Sequence, residues 1–301
     1  MTARYPRRVP ADNPTADSTL RNIRAALLGW YAAGHRDFPW RHTVDPYAVL
    51  VSEVMLQQTQ ATRVAQRFPG FMRRFPTADA LAAASEGEVL AAWSGLGYNR
   101  RALALRRTAA IVTAGGWPAG VSALETLPGI GPYTARALAS LAFGEPEGVV
   151  DTNVRRWLVR RFGVEPATAA RDLQVLADQL ARTGDTADAA SWTHATMEFG
   201  AAVCTSRTPR CADCPIAVGC PSREKAGLVP VPRQAPFRGS VRARRGAVLR
   251  ALSRAAGHSL AMASARRHCP GGDGCASAAG RGWRLQSAGE HRHDRPEGED
   301  H

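Results

Sequence analysis

LETLPGIGPYTARALASLAFG, residues 124–144, is the stretch whose reading decides the fold. It reads as a short helix, a Leu-Pro-Gly-Ile-Gly turn and a second helix. Gly129 and Gly131 permit a tight turn whose backbone N–H groups point outward. Those donors, with the positive end of the helix that follows, suit a phosphate oxygen. Taken alone, the same turn serves equally in an ordinary αα-hairpin.

On both sides of the hairpin the pattern is helical, from residue 18 to about 203. Leu20, Ile23, Leu27 and Trp30 recur at helical spacing, with Ser18 or Thr19 as cap and Gly34 as stop. Asp45-Pro46 reads as N-cap and first position of a helix running to about Thr59. Ser85 with Glu88, and Ser122 with Glu125, have the spacing of capping boxes. Val154, Trp157, Leu158 and Phe162 form a stripe between Asp151 and Gly163. Leu173, Leu176 and Leu180 mark the next helix, and Trp192, Phe199 and Val203 the last one before a group of cysteines. No repeat and no sustained strand alternation is visible, so the expected fold is all-α, in two lobes.

The 301 residues carry 39 basic against 26 acidic side chains, a net charge of +13. Lys225 is the one lysine; the remaining basic side chains are arginine. With 45% hydrophobic and 22% charged residues the chain is globular in composition. No apolar run reaches the roughly 18 residues of a membrane span, and MTARYPRRVPADNP has no apolar segment of a secretory signal. An intracellular enzyme or binder with a polyanionic partner is expected, and this moves the hairpin reading toward a DNA backbone, a contact that positions without reading sequence. The charge divides unevenly. Residues 238–301 hold 12 Arg and 6 acidic residues, or +6, which leaves 27 minus 20, or +7, for the rest. Residues 241–256 could form one basic helix, whereas CPGGDGCASAAGRGW and HRHDRPEGEDH cannot build a core.

Cys204, Cys211, Cys214 and Cys220 give C-x6-C-x2-C-x5-C directly after a helix. Cysteines this dense in an intracellular chain point to metal ligation rather than to disulfides. Four thiolates in one loop suit tetrahedral zinc or an iron–sulfur cluster, and spacing does not choose between them. Arg207, Pro209, Arg210 and Pro215 place the loop on a basic surface, and Cys269 and Cys275 stand apart in the tail.

Two carboxylates lie in unusual surroundings. On a helix, Glu53 has Val49, Leu50, Leu56 and Gln57 as neighbours. Either it sits on the outer face of an apolar helix, or it is desolvated, which raises its pKa and makes it a general acid near neutral pH. Asp151, in GVVDTNVRRW, opens a helix and reads as an N-cap held ionised by backbone N–H groups. One carboxyl pushed towards neutral and one held charged is the division of labour that glycosidic cleavage uses.

FPWR (38–41), DPYAVLVSEVMLQQTQ (45–60), WSGLGY (93–98), LPGIGPYTA (127–135), VVDTNVRR (149–156), MEFGAAVC (197–204) and the four-cysteine loop together resemble the helix-hairpin-helix DNA glycosylases with an iron–sulfur cluster, and within them the adenine DNA glycosylases of MutY type. The resemblance implies removal of adenine mispaired with 8-oxoguanine or guanine, by hydrolysis of the N-glycosidic bond after base flipping. It assigns Glu53 as the acid that protonates the adenine and Asp151 as the carboxylate that stabilises the oxocarbenium-like sugar, with Tyr133 and Asn153 in support. Trp40, Arg41 and Glu198 match positions that line the adenine pocket; Leu56, Gln58 and Tyr98 match positions that wedge into the duplex; Gly129 and Gly131 would meet the DNA backbone. Cys204, Cys211, Cys214 and Cys220 would hold a [4Fe–4S] cluster, structural and DNA-orienting.

Bifunctional relatives of the endonuclease III type use a hairpin lysine to form a Schiff base. Here Tyr133 stands at that place, no lysine precedes Lys225, and arginine stays protonated and is a poor nucleophile. A monofunctional enzyme with water as acceptor is expected. The alternatives are an oxidised-pyrimidine glycosylase/lyase and a non-catalytic iron–sulfur DNA-binding protein. The expected organisation is a flexible N-terminus (1–17), a cluster lobe from 18–34 and 151–225, and a helical lobe (35–150) with the hairpin at 124–144. A basic tail (226–301), disordered or out of the natural reading frame, has no recognisable 8-oxoguanine recognition domain. The expected partner is double-stranded DNA with an adenine mispair, met by a monomer in the cytoplasm and at the nucleoid, with no membrane.

Overall fold

A computed structural model describes residues 14–165, 167–223, 240–255, 259–260 and 283–284. They fall into two compact units: residues up to Pro69 with Ala114–Arg233, and Gly70–Thr113 with residues from Gln234 onward. The chain is helical, and its strands among the described residues are the two-residue antiparallel pair β1 (Ser259–Leu260) and β2 (Trp283–Arg284).

In the larger unit, α1 (Pro14–Ala33) begins four residues before the expected Ser18 cap. Proline's fixed φ suits the first helical turn, and Asp17 in that turn complements the positive helix end. Asp45 caps α2 (Pro46–Leu56) by accepting from the N–H groups of Tyr47 and Ala48, and α2 ends three residues short of Thr59. Ser52 and Glu53 are the polar side chains of α2 after its first turn, so it is apolar all round and is buried all round from Tyr47 to Met55. It packs on α8 (Pro132–Phe143), the second helix of the hairpin, whose short first helix is α7 (Val121–Leu124). The Ser122–Glu125 capping box does not form: Gly120 is the N-cap of α7, at φ +79, and no side chain bonds to the helix start. A four-residue helix leaves Glu125 at the C-cap, where it has no first turn to reach back to.

α9 (Thr152–Phe162), α10 (Ala170–Arg182) and α11 (Ala189–Ala202) complete this unit with α1. Asp151 caps α9 and Gly163, at φ +63, closes it, as the sequence pattern predicts. Leu20, Ile23 and Leu27 of α1 share one core with Trp157 and Leu158 of α9, Leu173 and Leu180 of α10, and Phe199 of α11; Ile216 of the cysteine loop joins it. That core draws on both 18–34 and 151–216. Arg24 ties α1 to the α10–α11 connection by pairing with Asp188 and donating to the carbonyls of Leu180 and Asp185, its guanidinium over the Trp192 ring.

The smaller unit contains α4 (Ala78–Ala83), α5 (Glu86–Ala92) and most of α6 (Arg100–Gly115), while α3 (Ala61–Arg74) crosses from one unit to the other at Pro69. The Ser85–Glu88 capping box is present in both directions. α12 (Val241–Arg254) forms where the sequence allowed one basic helix; it packs on α5 and buries Val248 and Leu252. The remaining tail expectations lie outside the described residues.

Candidate active site

Glu53 is 3% exposed, so the outer-face reading does not hold: its carboxyl lies in the interior of the larger unit. Burial pushes its pKa up to about 7 from 4.5; a hydrogen bond from the Tyr133 hydroxyl works against the rise and the charge of Asp151 adds to it. Its Oε2 is buried and has no hydrogen-bond partner among the described residues. A half-protonated carboxyl with one unengaged oxygen is equipped to deliver a proton at neutral pH.

Asp151 is placed by the start of α9. Its Oδ1 accepts from the backbone N–H of Asn153 at 2.8 Å and of Val154 at 2.6 Å, and its Oδ2 accepts from Asn153 Nδ2 at 2.7 Å. Burial raises this carboxyl above its ordinary 3.8, against those three bonds and the Arg156 charge. Capping bonds and burial thus act on Asp151 in opposite directions, and burial is the larger of the two. Asn153 is held in turn. Arg156 donates to its Oδ1 at 3.0 Å, to the Gly200 carbonyl, and to the Cys204 carbonyl at 2.7 Å. Tyr133 sits on the first turn of α8, and its hydroxyl lies 4.0 Å from Met197 Sδ as well as beside Glu53. Glu53, Tyr133, Asp151 and Asn153 are thus brought together by the starts of α8 and α9 and by buried α2.

Glu198, on α11, is clamped. Arg36 donates to both its oxygens, at 2.6 and 2.9 Å, and Arg41 donates to Oε2 at 2.7 Å. Burial raises the Glu198 carboxyl, and the two guanidiniums overcome it and hold the pKa below 4.5. Trp40 is buried, stacked on Phe38 at 4.8 Å and edge-on to Phe68. Burial first, then the charges of Arg41 and His35, push His194 down to about 3, which keeps its imidazole neutral beside this clamp.

Three participants escaped sequence reasoning. Arg36 stands five residues before Arg41 and 162 before Glu198, and nothing local signals the pairing. Arg156 looks like one arginine among many. Gly200 sits mid-helix, and a Cβ there would lie 2.6 Å from the Asn153 carbonyl oxygen, so glycine is what lets α11 approach α9.

Among the described residues, two non-glycine residues have φ in the left-handed region, Gln58 at +53° and Tyr98 at +48°. Both were singled out from the sequence as duplex wedges. Each is held in its own unit: Gln58 is exposed just past the end of α2, next to Leu56 and Gln57, and Gln57 Nε2 reaches Thr134. Tyr98 follows a turn in which Trp93 Nε1 and Arg101 both donate to the Gly97 carbonyl. In the hairpin, Gly129 has φ +80, whereas Gly131 is extended, with open space where a Cβ would be. Gly131 is the N-cap of α8, no side chain caps that end, and Gly129, Gly131 and Pro132 are exposed.

Cys204, Cys211, Cys214 and Cys220 line one pocket together with Val203, Pro209 and Ala217. Arginines of α9 hold the loop: Arg160 donates to the carbonyls of Thr205 and Ser206 and approaches Cys204 Sγ at 3.5 Å, and Arg161 donates to the Gly219 carbonyl. Burial raises the Cys214 thiol to about 11. Among the described residues no set of three or more His, Cys, Asp or Glu side chains is gathered round a single-ion position. The donor set itself, four thiols on one apolar-walled and arginine-braced pocket, fits a thiolate-held iron–sulfur group in kind.

Residues 51–181 match the family model described as HhH-GPD superfamily base excision DNA repair protein. The chain is 47% identical over 195 residues to an adenine DNA glycosylase of Mycobacterium tuberculosis, covering 63% of this chain and 64% of that protein. It is 42% identical over 222 residues to the adenine DNA glycosylase of Homo sapiens, covering 67% of this chain and 40% of that protein. The match thus spans less than two thirds of either relative's length. Among solved structures, a thermostable thymine-DNA glycosylase is similar with TM-score 0.64 and 28% identity, covering 70% of this chain and 99% of that one. An endonuclease III in a non-covalent DNA complex shares the fold, with TM-score 0.59 and 21% identity over 69% of this chain and 97% of that one. The segment that carries the hairpin and the buried Glu53 and Asp151, residues 51–181, belongs to the HhH-GPD superfamily of base excision DNA repair proteins.

Proposed function

We propose that the chain is a monofunctional adenine DNA glycosylase acting on adenine opposite 8-oxoguanine or guanine in double-stranded DNA. The observation that carries this reading is the buried Glu53 carboxyl, at about 7 and with Oε2 unengaged, sharing one site with Asp151. The target nucleotide is extruded, because its glycosidic bond is inaccessible inside the stack. Trp40, Arg41 and Glu198 receive the base. Protonated Glu53 delivers its proton to a ring nitrogen, the C1′–N bond breaks with its electrons going to the base, and the sugar becomes an oxocarbenium ion. Asp151, oriented by Asn153 and the start of α9, stabilises that cation. Water adds to C1′ and gives up a proton, leaving an abasic site with the strand intact.

Tyr133 occupies the position where a Schiff-base lysine would lie, so the site offers no amine to attack the sugar. Gly129, Gly131 and the uncapped start of α8 suit a phosphate of the backbone. Leu56, Gln58 and Tyr98 are assigned as residues that wedge into the duplex. Cys204, Cys211, Cys214 and Cys220 would hold a [4Fe–4S] cluster, whose contribution when bound is to brace the loop and orient DNA. Arg207 and Arg210 of that loop then face a phosphate. We assign the action to a monomer.

The test is a duplex carrying adenine opposite 8-oxoguanine, or opposite guanine, incubated with the full chain and analysed with and without alkali. Strand breaks that appear only after alkali are expected. Breaks without alkali would indicate lyase chemistry, and intact strands in both arms would remove the enzyme reading. Comparing rates on the two mispairs reports how far 8-oxoguanine itself is recognised.

A further inference from the structure

We propose that Met197 is a positioning residue for the general acid, its thioether acting on Glu53 through the Tyr133 hydroxyl. The inference rests on the reading of Glu53 as that acid. A tyrosine hydroxyl has one proton to give and can aim it at one acceptor at a time. For Tyr133 two acceptors are in reach: the Glu53 carboxyl, and Met197 Sδ at 4.0 Å. Which one it serves depends on Glu53. When Glu53 is ionised, the hydroxyl donates to the carboxylate. When Glu53 is protonated on the oxygen that faces Tyr133, that proton rests on the Tyr133 oxygen and the hydroxyl proton turns to the sulfur. The thioether therefore gives the proton-loaded state an acceptor that a hydrocarbon would not.

The geometry around Met197 supports a fixed role. It precedes Glu198, which three guanidinium bonds hold in place, and Gly200 keeps the same helix close to Asn153. The sulfur therefore sits on a stretch of α11 anchored immediately after it, at 198 and 200. The titratable groups that act on Glu53 are Tyr133, from α8, and Asp151, at the start of α9. The 3₁₀ turn Pro39–His42 also packs on α2, and it commits Arg41 to Glu198 and His42 to Asp37.

The experiment compares single-turnover excision of adenine against pH for the full chain and two variants, Met197→Leu and Met197→Gln. Leucine keeps the volume and removes the acceptor; glutamine supplies a stronger one. The alkaline limb of the profile, where Glu53 loses its proton, is expected to move to lower pH by about half a unit in Met197→Leu, the size of one weak hydrogen bond. In Met197→Gln it moves to higher pH, with duplex binding unchanged in both. In a Tyr133→Phe background the exchange at 197 should leave the limb where it is. Coincident limbs for Leu, Met and Gln overturn the proposal, and so does a shift that persists without the hydroxyl. If Met197→Leu does not fold, the Gln arm alone decides. A wild-type profile without any limb between about pH 6 and 8 would instead remove the general-acid reading of Glu53.

Discussion

Glu53 and Glu198 are both buried carboxylates of the larger unit, and the protein handles them in opposite ways. Glu53 is set among apolar side chains of α2, with one partner and one orphan oxygen, and its pKa rises to about 7. Glu198 is surrounded by Arg36 and Arg41, every oxygen is engaged, and its pKa falls. Burial is common to the two; counter-charge is not. A carboxyl left under-satisfied keeps a mobile proton for chemistry, and one that is saturated becomes a rigid wall. The protein thus gives up stability at position 53 and recovers order at position 198.

The comparison can be broken most directly by amidation of each carboxyl. Glu53→Gln should lower excision by roughly 10²–10⁴-fold while duplex binding stays near wild type, since the amide keeps the shape and loses the proton. Turnover within a factor of a few of wild type in a single-turnover assay would show that the proton comes from elsewhere. Glu198→Gln should do the reverse in kind: it leaves the buried Arg41 without its counter-charge, at about 3–5 kcal/mol of folding stability in urea denaturation. Half-exposed Arg36 adds little to that figure.

A pH series sharpens the contrast. The Glu53 pKa is higher in the folded than in the unfolded chain, so the folded state holds an extra proton between about 4.5 and about 7. Stability is therefore lost as pH rises through that window, by roughly 3 kcal/mol in total, and Glu53→Gln should flatten this part of the curve. For Glu198, lowered in the fold, the stability is present above 4.5 and is lost as pH falls through its folded value. Denaturation curves at about pH 3, about pH 5 and about pH 8 for wild type and each variant separate the two contributions, the lower interval reporting Glu198 and the upper one Glu53; parallel changes between about pH 5 and about pH 8 for wild type and Glu53→Gln would contradict the buried acid. The smallest effect is expected at Gly200→Ala, where the added methyl must displace the Asn153 carbonyl. It should cost about 1–3 kcal/mol and should loosen Asp151, reducing excision more than binding.

What the sequence revealed follows the range of the interactions involved. Asp45, Ser85 and Asp151 were legible as caps because their partners lie two or three residues away. Glu53 was legible as odd but not as buried, since the same residues fit a helix with either face outward; packing of α2 on α8 decides it. Ser122 with Glu125 had the spacing of a box and lacked the helix length to use it. Arg36 with Glu198, and Gly200 with Asn153, join segments distant in sequence, and their meaning exists only once α1, α9 and α11 are assembled. Asp151 shows a subtler limit: its hydrogen bonds were foreseen, but the burial that outweighs them is a property of the folded interior.

The two left-handed side chains, Gln58 and Tyr98, bear on any attempt to engineer this protein. Each carries a conformational cost of order 1 kcal/mol that glycine would not, so a screen for thermostability would favour glycine at both places. The same replacement would delete the side chains proposed to enter the duplex. Selection for robustness and selection for repair would then pull in opposite directions at these two positions.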